Sequence, residues 1–417
     1  MTDCRLKGAR LIDPSQNLDE ICDLTVANGR ITFDSPDDSI ETIDCNGKII
    51  MPGLVDIRGH LREPESLASI GEAAAFGGYT TILLMPNSGS PADNPGTVHL
   101  MREKASKVTK IEILQCGCLT KESEGEVLAP LGSLKEAGVV AVSDCPSSPQ
   151  NTEIFARGLE YASMFDLPVI EFPRDLTISS RGVAHDGPIA LKMGIGGYPR
   201  MAEELFVQRA ITVCRNLGTR VHLTSISSAG SVELIREAKG KEIPITADST
   251  PHHLTLTDER LLGYDPSAKT MPPLREDLDR KAILEGVKDG TIDCISSAHE
   301  PCHEHEKEVE FDLAPAGVIG YETGLPVVFG ELAKRTDDPF PLIARAMSLN
   351  PARILGVDNS IAEGRVANLF VFDPNSSWTY KTTQGRSSAK NSPYEGLEMK
   401  GSVLVTFANG ERVFFPE

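Results

Sequence analysis

No stretch of this chain stays apolar long enough to make a membrane-crossing helix. Its start has no basic, apolar, small-residue leader of the secretory kind. These two absences predict a cytoplasmic protein with no membrane partner. Basic charge is also short: 41 Lys and Arg stand against 60 Asp and Glu, a formal charge of −19. A chain this acidic offers little to a phosphate backbone, which argues against nucleic acid as a partner. None of the nine cysteines forms a C-x-x-C pair of the kind that builds zinc sites. An odd, scattered set reads as reduced thiols. Cys116 and Cys118 are expected to pack on one face of a strand end.

What is present is an ordinary globular composition, 40% hydrophobic and 24% charged over 417 residues. That length suits one large barrel plus a smaller unit. Residues 1–50 read as short strands, at 5–11, 21–26, 30–33 and 48–51, separated by Asp-Pro and Asn-Gly turns. From Met51 the rhythm becomes strand then helix. A strand at Leu54 is followed by others at 79–84, 111–114, 138–142, 168–171, 220–224, 243–247 and 292–296. Helical patterns lie between them, weakest between the second and third. Eight repeats suit a closed parallel barrel. After Asn350 the strand pattern returns, at 367–372, 378–380, 401–406 and 412–415, with Asn409-Gly410 as a hairpin turn.

The most informative stretch is MPGLVDIRGHLREPE, residues 51–65. An apolar run ends in charged and imidazole side chains, as a buried strand does where it opens into a site. Alternation along it puts Asp56, Arg58 and His60 on one side. The stretch resembles the dihydroorotase family, the cyclic amidohydrolases of pyrimidine synthesis, whose pattern here is roughly PGLVD-x-H-x-H-LREPG. The closing segments IAEGRVANLFVFDP, NSPYEG and VLVTFANGERVF resemble that family too, so the likeness covers nearly the whole chain. It implies an α/β fold: a (β/α)8 TIM barrel with a small β-sandwich domain formed by both chain ends. The composite sandwich is expected over 1–50 and 357–417, and the amidohydrolase-like barrel over 51–356.

The family's reaction closes a ureido acid reversibly into a cyclic imide-like ring. It needs a metal-activated water, a metal-polarised carbonyl and a carboxylate to shuttle the proton. Against the family pattern this chain departs at one ligand position after another. Arg58 replaces the first histidine of the H-x-H pair. A guanidinium cannot ligate a metal and repels a divalent cation. Phe172 in VIEFPRD and Ser225 in TSIS replace two more histidines. Ala298 replaces the aspartate that would bind metal and carry the proton, so no catalytic residue is expected. The Ser-Asp-Asp-Gly motif reads Ser143-Asp144-Cys145-Pro146, and which of Asp144 and Cys145 faces the site is open. Only His60 and Asp144 remain as remnant metal candidates. No metal or other cofactor is expected, and Arg58 is expected to fill the void and pair with Asp56 or Asp144.

Arg62 and Asn87 match the family residues that grip the substrate carboxylate, while Met271 and Cys302 replace the other two. The competing reading is that Arg62 and Asn87 brace loops at the barrel mouth. His252-His253 reads as a packed histidine pair. Cys302, His303 and His305 could meet one soft metal, although a solvated acidic loop is the simpler reading. The glycine run at 193–198 lacks the ending of a phosphate loop. The resemblance then implies a non-catalytic companion or structural subunit of aspartate transcarbamoylase, assembled also with itself. Two alternatives stand beside it. One is an active, zinc-dependent cyclic amidohydrolase with an atypical site built from His60, Asp144, Cys145 and either Glu171 or His299. The other is a binding protein that takes a small carboxylate on Arg62 and Asn87.

Overall fold

A computed structural model describes residues 3–34, 39–178 and 180–415. Eight parallel strands follow one another in chain order around a barrel: Leu54–Gly59, Tyr79–Leu84, Glu112–Cys118, Ala141–Ser143, Val169–Glu171, Val221–Leu223, Ile245–Ser249 and Cys294–Ile295. Each lies within four residues of where the apolar runs place it, and Tyr79–Leu84 coincides with its run. The helices between them turn an apolar face inward, and a continuous core of Ile, Leu, Val and Ala fills the space between helix and strand. The weakest helical pattern is a full helix, Pro95–Val108, started by Asn94, whose side chain accepts from the Thr97 N–H at 3.0 Å. Among the described residues, no helix is long and apolar enough to cross a membrane.

The eighth strand is only two residues long, so the barrel closes mainly through the loop after it. Gly59 bridges His299 in parallel, and the His60 N–H donates to the His299 carbonyl at 2.9 Å. Asp56 ties the seam. It accepts from the Ser297 N–H at 2.8 Å, the Ser297 hydroxyl at 2.7 Å and the Tyr321 hydroxyl at 3.0 Å. Burial pushes the Asp56 carboxyl up, and these donors hold it down. Glycine is required at position 59 because a methyl group there would overlap the Tyr321 hydroxyl. Tyr321→Phe leaves the buried carboxyl one donor short, and the expected loss is about 1–3 kcal/mol in urea unfolding.

The two ends of the chain meet in a second eight-stranded sheet. Ile49–Pro52 is the joint. It runs parallel to Cys4–Asp13 on one side and antiparallel to Leu369–Thr379 on the other. The sheet has its own core, including Leu6, Leu11, Leu24, Ile50, Leu369 and Phe407. The separate strands expected at 367–372 and 378–380 are one strand with two register irregularities. Asn409 and Gly410 both take positive φ, as the hairpin turn demands.

Candidate functional site at the barrel mouth

Simple alternation along Leu54–Gly59 fails at the one place where it matters. The pairing with the second strand slips between Asp56 and Gly59. Asp56 therefore goes to the seam with Ser297 and Tyr321, while Arg58 goes into the barrel. The expected pairing of Arg58 with Asp56 or Asp144 is corrected accordingly. Its Nε lies 3.5 Å from the Cys145 Sγ, and its Nη2 lies 3.7 Å from Glu300 Oε2. The guanidinium carbon sits 5.4 Å from the centre of the Phe172 ring. Arg58 is 2% exposed. Three of the departures from the family pattern thus meet one another: Arg58, Cys145 and Phe172.

Glu300 is the residue that sequence reasoning passed over. It accepts a 2.8 Å ion pair from Arg62 and faces Arg58 on its other oxygen. Burial alone would push its carboxyl up, but His60, Arg62, Arg58 and Lys307 hold it below its ordinary value. A signal was available. A buried cation at position 58 needs an anion, and Glu300 is the carboxylate two residues after Ala298.

Asp144 and Cys145 point different ways. Asp144 accepts from the Leu119 N–H at 3.1 Å, the Thr120 N–H at 2.9 Å and the Thr120 hydroxyl at 2.6 Å, so it organises the loop after the third strand. Cys145 is the one that faces Arg58; burial pushes its thiol up, and Arg58 pulls the other way. Glu171 is engaged outside the cluster, by Arg209 at 2.6 Å and the Ser148 hydroxyl at 2.7 Å. Ser225 donates its N–H to Asp248 Oδ1 at 2.9 Å, and Asp248 also pairs with His222 at 2.9 Å. Ala298 sits in the seam loop with φ 48°.

His60 is wholly buried and neutral. Burial lowers it to about 3, with Arg58 and Arg62 adding to the effect against Glu300 and Asn87. Its Nδ1–H donates to Asn87 Oδ1 at 3.0 Å, which leaves Nε2 as a lone pair without a partner. His299 is similar. Burial lowers it to about 4 against Glu65, its Nδ1 accepts from the Gly320 N–H at 3.2 Å, its ring stacks on Tyr321, and its Nε2 makes no hydrogen bond, with Glu65 Oε1 4.0 Å away. Asn87 is thus spent on His60, and Arg62 on Glu300. Both line a cleft of about 600 Å³ at the mouth, with Lys104 and Ser88.

A free imidazole lone pair at His60 would suit a metal, but its surroundings do not. The nearest formal charges include two guanidiniums. Among the described residues, the only three histidine, cysteine or carboxylate donors lying close enough to share an ion are His185, Glu276 and Asp279. That group is elsewhere and already holds cations. Arg200 forks onto Asp279 at 2.8 and 2.6 Å and onto Glu276, and Arg275 donates to His185 at 3.1 Å. An added ion would have to displace a guanidinium that makes three charge-assisted bonds. The residues at the mouth do not fit a catalytic zinc, which needs about three protein ligands and an open position.

The other clusters resolve simply. His252 and His253 are buried ring to ring at 4.8 Å, as a packed pair. His303 and His305 approach to 5.0 Å, but Cys302 is buried with its thiol toward the Ala316 carbonyl.

Residues 47–231 match the dihydro-orotase-like family, and residues 189–413 match the amidohydrolase family. The fold aligns with the L-hydantoinase (dihydropyrimidinase) from Arthrobacter aurescens at a TM-score of 0.87 and 22% identity, over 100% of this chain and 96% of that one. It aligns with dihydropyrimidinase from Brevibacillus agri NCHU1002 at 0.84 and 20%, over 99% and 95%. Those identities speak for the fold alone. Sequence relatives are nearer: a protein named dihydroorotase in Geobacter sp. (strain M21) is 37% identical, over 98% of both chains. Another of that name, in Endomicrobium trichonymphae, is 40% identical over 98% of this chain and 99% of its own. With likeness of that extent running through both end segments and every barrel strand, the chain belongs to the dihydroorotase family of amidohydrolases.

Proposed function

We propose that this chain is a non-catalytic member of its family, acting in pyrimidine synthesis as a structural companion of an aspartate transcarbamoylase. The observation that carries the reading is the Arg58 guanidinium, buried beside Glu300 and Cys145 at a ligand position of the family. It is a cation that cannot coordinate water or a carbonyl, where the family reaction uses a metal that does both. Ala298 has no proton to give or take. Without metal or shuttle, the family's ring closure loses both its water activation and its proton transfer. On this reading 1–50 and 357–417 act as one packing unit against the barrel at 51–356, and the surface of that scaffold is what the partner uses.

Purified protein is expected to carry no stoichiometric zinc and to turn over neither dihydroorotate nor carbamoyl aspartate. Ala298→Asp alone should not restore turnover, because residues that act as a unit do not contribute separately. A metal-dependent rate in the unaltered protein, abolished by His60→Ala, would overturn the non-catalytic reading. Co-expression with the transcarbamoylase of the same cell tests the partner. A complex that survives gel filtration is expected, with on the order of 1,200–2,000 Å² buried in total. Separate elution, with the transcarbamoylase equally active and stable alone, counts against it.

One observation favours a second reading. Arg62 keeps 32% of its side chain exposed while lining the mouth cleft, so a small carboxylate could compete with Glu300 for it. Asn87 would turn from His60 to share that ligand. Calorimetric titration with carbamoyl aspartate and dihydroorotate separates this reading from the first, and Arg62→Ala should abolish any heat seen.

A further inference from the structure

A second cleft, of about 750 Å³, opens where the turn at Asp258 meets the start of the helix Asp277–Asp289. Its lining includes the carboxylates Asp258, Glu259, Glu276 and Asp277, together with Ile189 and Leu278, and contains no lysine or arginine. Two of these acids are already answered. Arg200 holds Glu276, and Arg280 and Lys281 hold Asp277 at 2.5 and 2.7 Å. The charge left over is that of Asp258 and Glu259. Asp258 is only 3% exposed, and its Oδ2 has no hydrogen-bond partner. A buried carboxylate oxygen with nothing to accept from is costly, and native proteins rarely leave one so.

From this cleft we infer a binding site for a small alkylammonium ligand, whose charged head meets Asp258 and Glu259 and whose methylenes lie along Ile189 and Leu278. The absence of basic residues from the lining rules out an anion. A bare divalent ion does not suit it either. Such an ion needs several oxygens gathered around one point. Among the described residues, no three donors of this cleft converge closely enough to share one. An ammonium on an alkyl chain needs only two or three carboxylate oxygens and an apolar wall, and the volume is in the range of small-molecule sites. The Asp258 carboxyl is pushed up to about 6, by burial and then by Glu276 and Glu259, so a cation placed beside it would be stabilised by the charge it restores.

The test is calorimetric titration of the full chain at pH 7.5 and low salt with putrescine and spermidine. Saturable binding is expected, weakened about tenfold or more by Asp258→Asn, as loss of a charge-assisted bond implies. Glu259→Gln should weaken it in the same direction. Asp258→Asn removes an uncompensated buried charge, so the variant should stay folded, and a melting curve checks this. Asp166→Asn, a remote exposed acid paired with Arg220, should leave binding unchanged. No saturable binding by either amine overturns the inference. So does equal affinity in Asp258→Asn, which would mean that the acidic surface collects amines at large.

Discussion

Replacing Glu300 with glutamine should cost about 3–5 kcal/mol of folding stability, the range for removing one partner of a buried ion pair. Arg58 is 2% exposed, and the Glu300 side chain 9%. With the carboxylate gone, Arg58 keeps a thiol that burial holds protonated and the face of an aromatic ring. None of these carries compensating charge. The loss should be read from urea unfolding with the slope unchanged. The companion experiment removes both charges. Arg58→Met with Glu300→Gln should recover most of the loss, because an apolar filling of similar volume often matches a buried pair. If Glu300→Gln alone costs less than about 1 kcal/mol, the pair is no more than a surface contact. The view of Arg58 as the fixed cation of this barrel would then fall.

Acid should weaken this protein well before its carboxylates titrate in the unfolded chain. His60, His253 and His299 are held neutral by burial, at about 3, about 3 and about 4. In the unfolded chain each titrates near 6.5. A folded value below the unfolded one means that the stability is fully present above pH 6.5. It drains away as pH falls toward the folded value. Between pH 7.5 and 5.5 each histidine should remove about 1.4 kcal/mol, and the three together about 4. His252, lowered further by burial and by His253, adds in the same direction. The buried carboxyls Asp56, Asp144 and Glu171 are pushed up and run the other way, Glu171 to about 7 despite Arg209. The diagnostic is therefore a difference. His253→Asn, which can keep a bond to Thr250 or the Pro272 carbonyl, should be about 1.4 kcal/mol less sensitive across that window than the parent chain. Equal sensitivity in the two proteins would mean that His253 is already protonated in the fold.

The barrel could be read from apolar runs because most of its strands are buried along their whole length, and the shared sheet from alternation and turn residues. The helix Pro95–Val108 was the weakest pattern, since only Val98 and Ala105 are fully buried along it. The site was half legible. The reading of Arg58, Phe172, Ser225 and Ala298 as replacements at family ligand positions rests on the sequence alone; what the structure adds is that Arg58 and Phe172 meet. Which way Asp56 and Arg58 face did not follow, because the slip in strand pairing between Asp56 and Gly59 belongs to backbone pairing across strands. The choice between Asp144 and Cys145 was hidden for a similar reason. It turns on three donors from Leu119 and Thr120, more than twenty residues away in the chain. Glu300 was overlooked inside a loop rich in histidine and acid, where a single partnered carboxylate looks like its solvated neighbours.

The shared sheet also sets a schedule for biosynthesis. Ile50 pairs with Val371, so one edge of the joint strand must wait for a partner made more than 300 residues later. At ribosomal speeds of about 5–20 residues per second, the wait is on the order of 15–60 s. Throughout it the nascent chain presents Ile49, Ile50 and Met51 on an open strand edge, the kind that recruits other chains. The whole barrel must emerge, and can begin to fold, inside a loop whose two ends have not yet met. Demand for a chaperone should therefore peak before the last fifty residues leave the ribosome, and a chain stopped short of Leu369 should aggregate even if its barrel has formed.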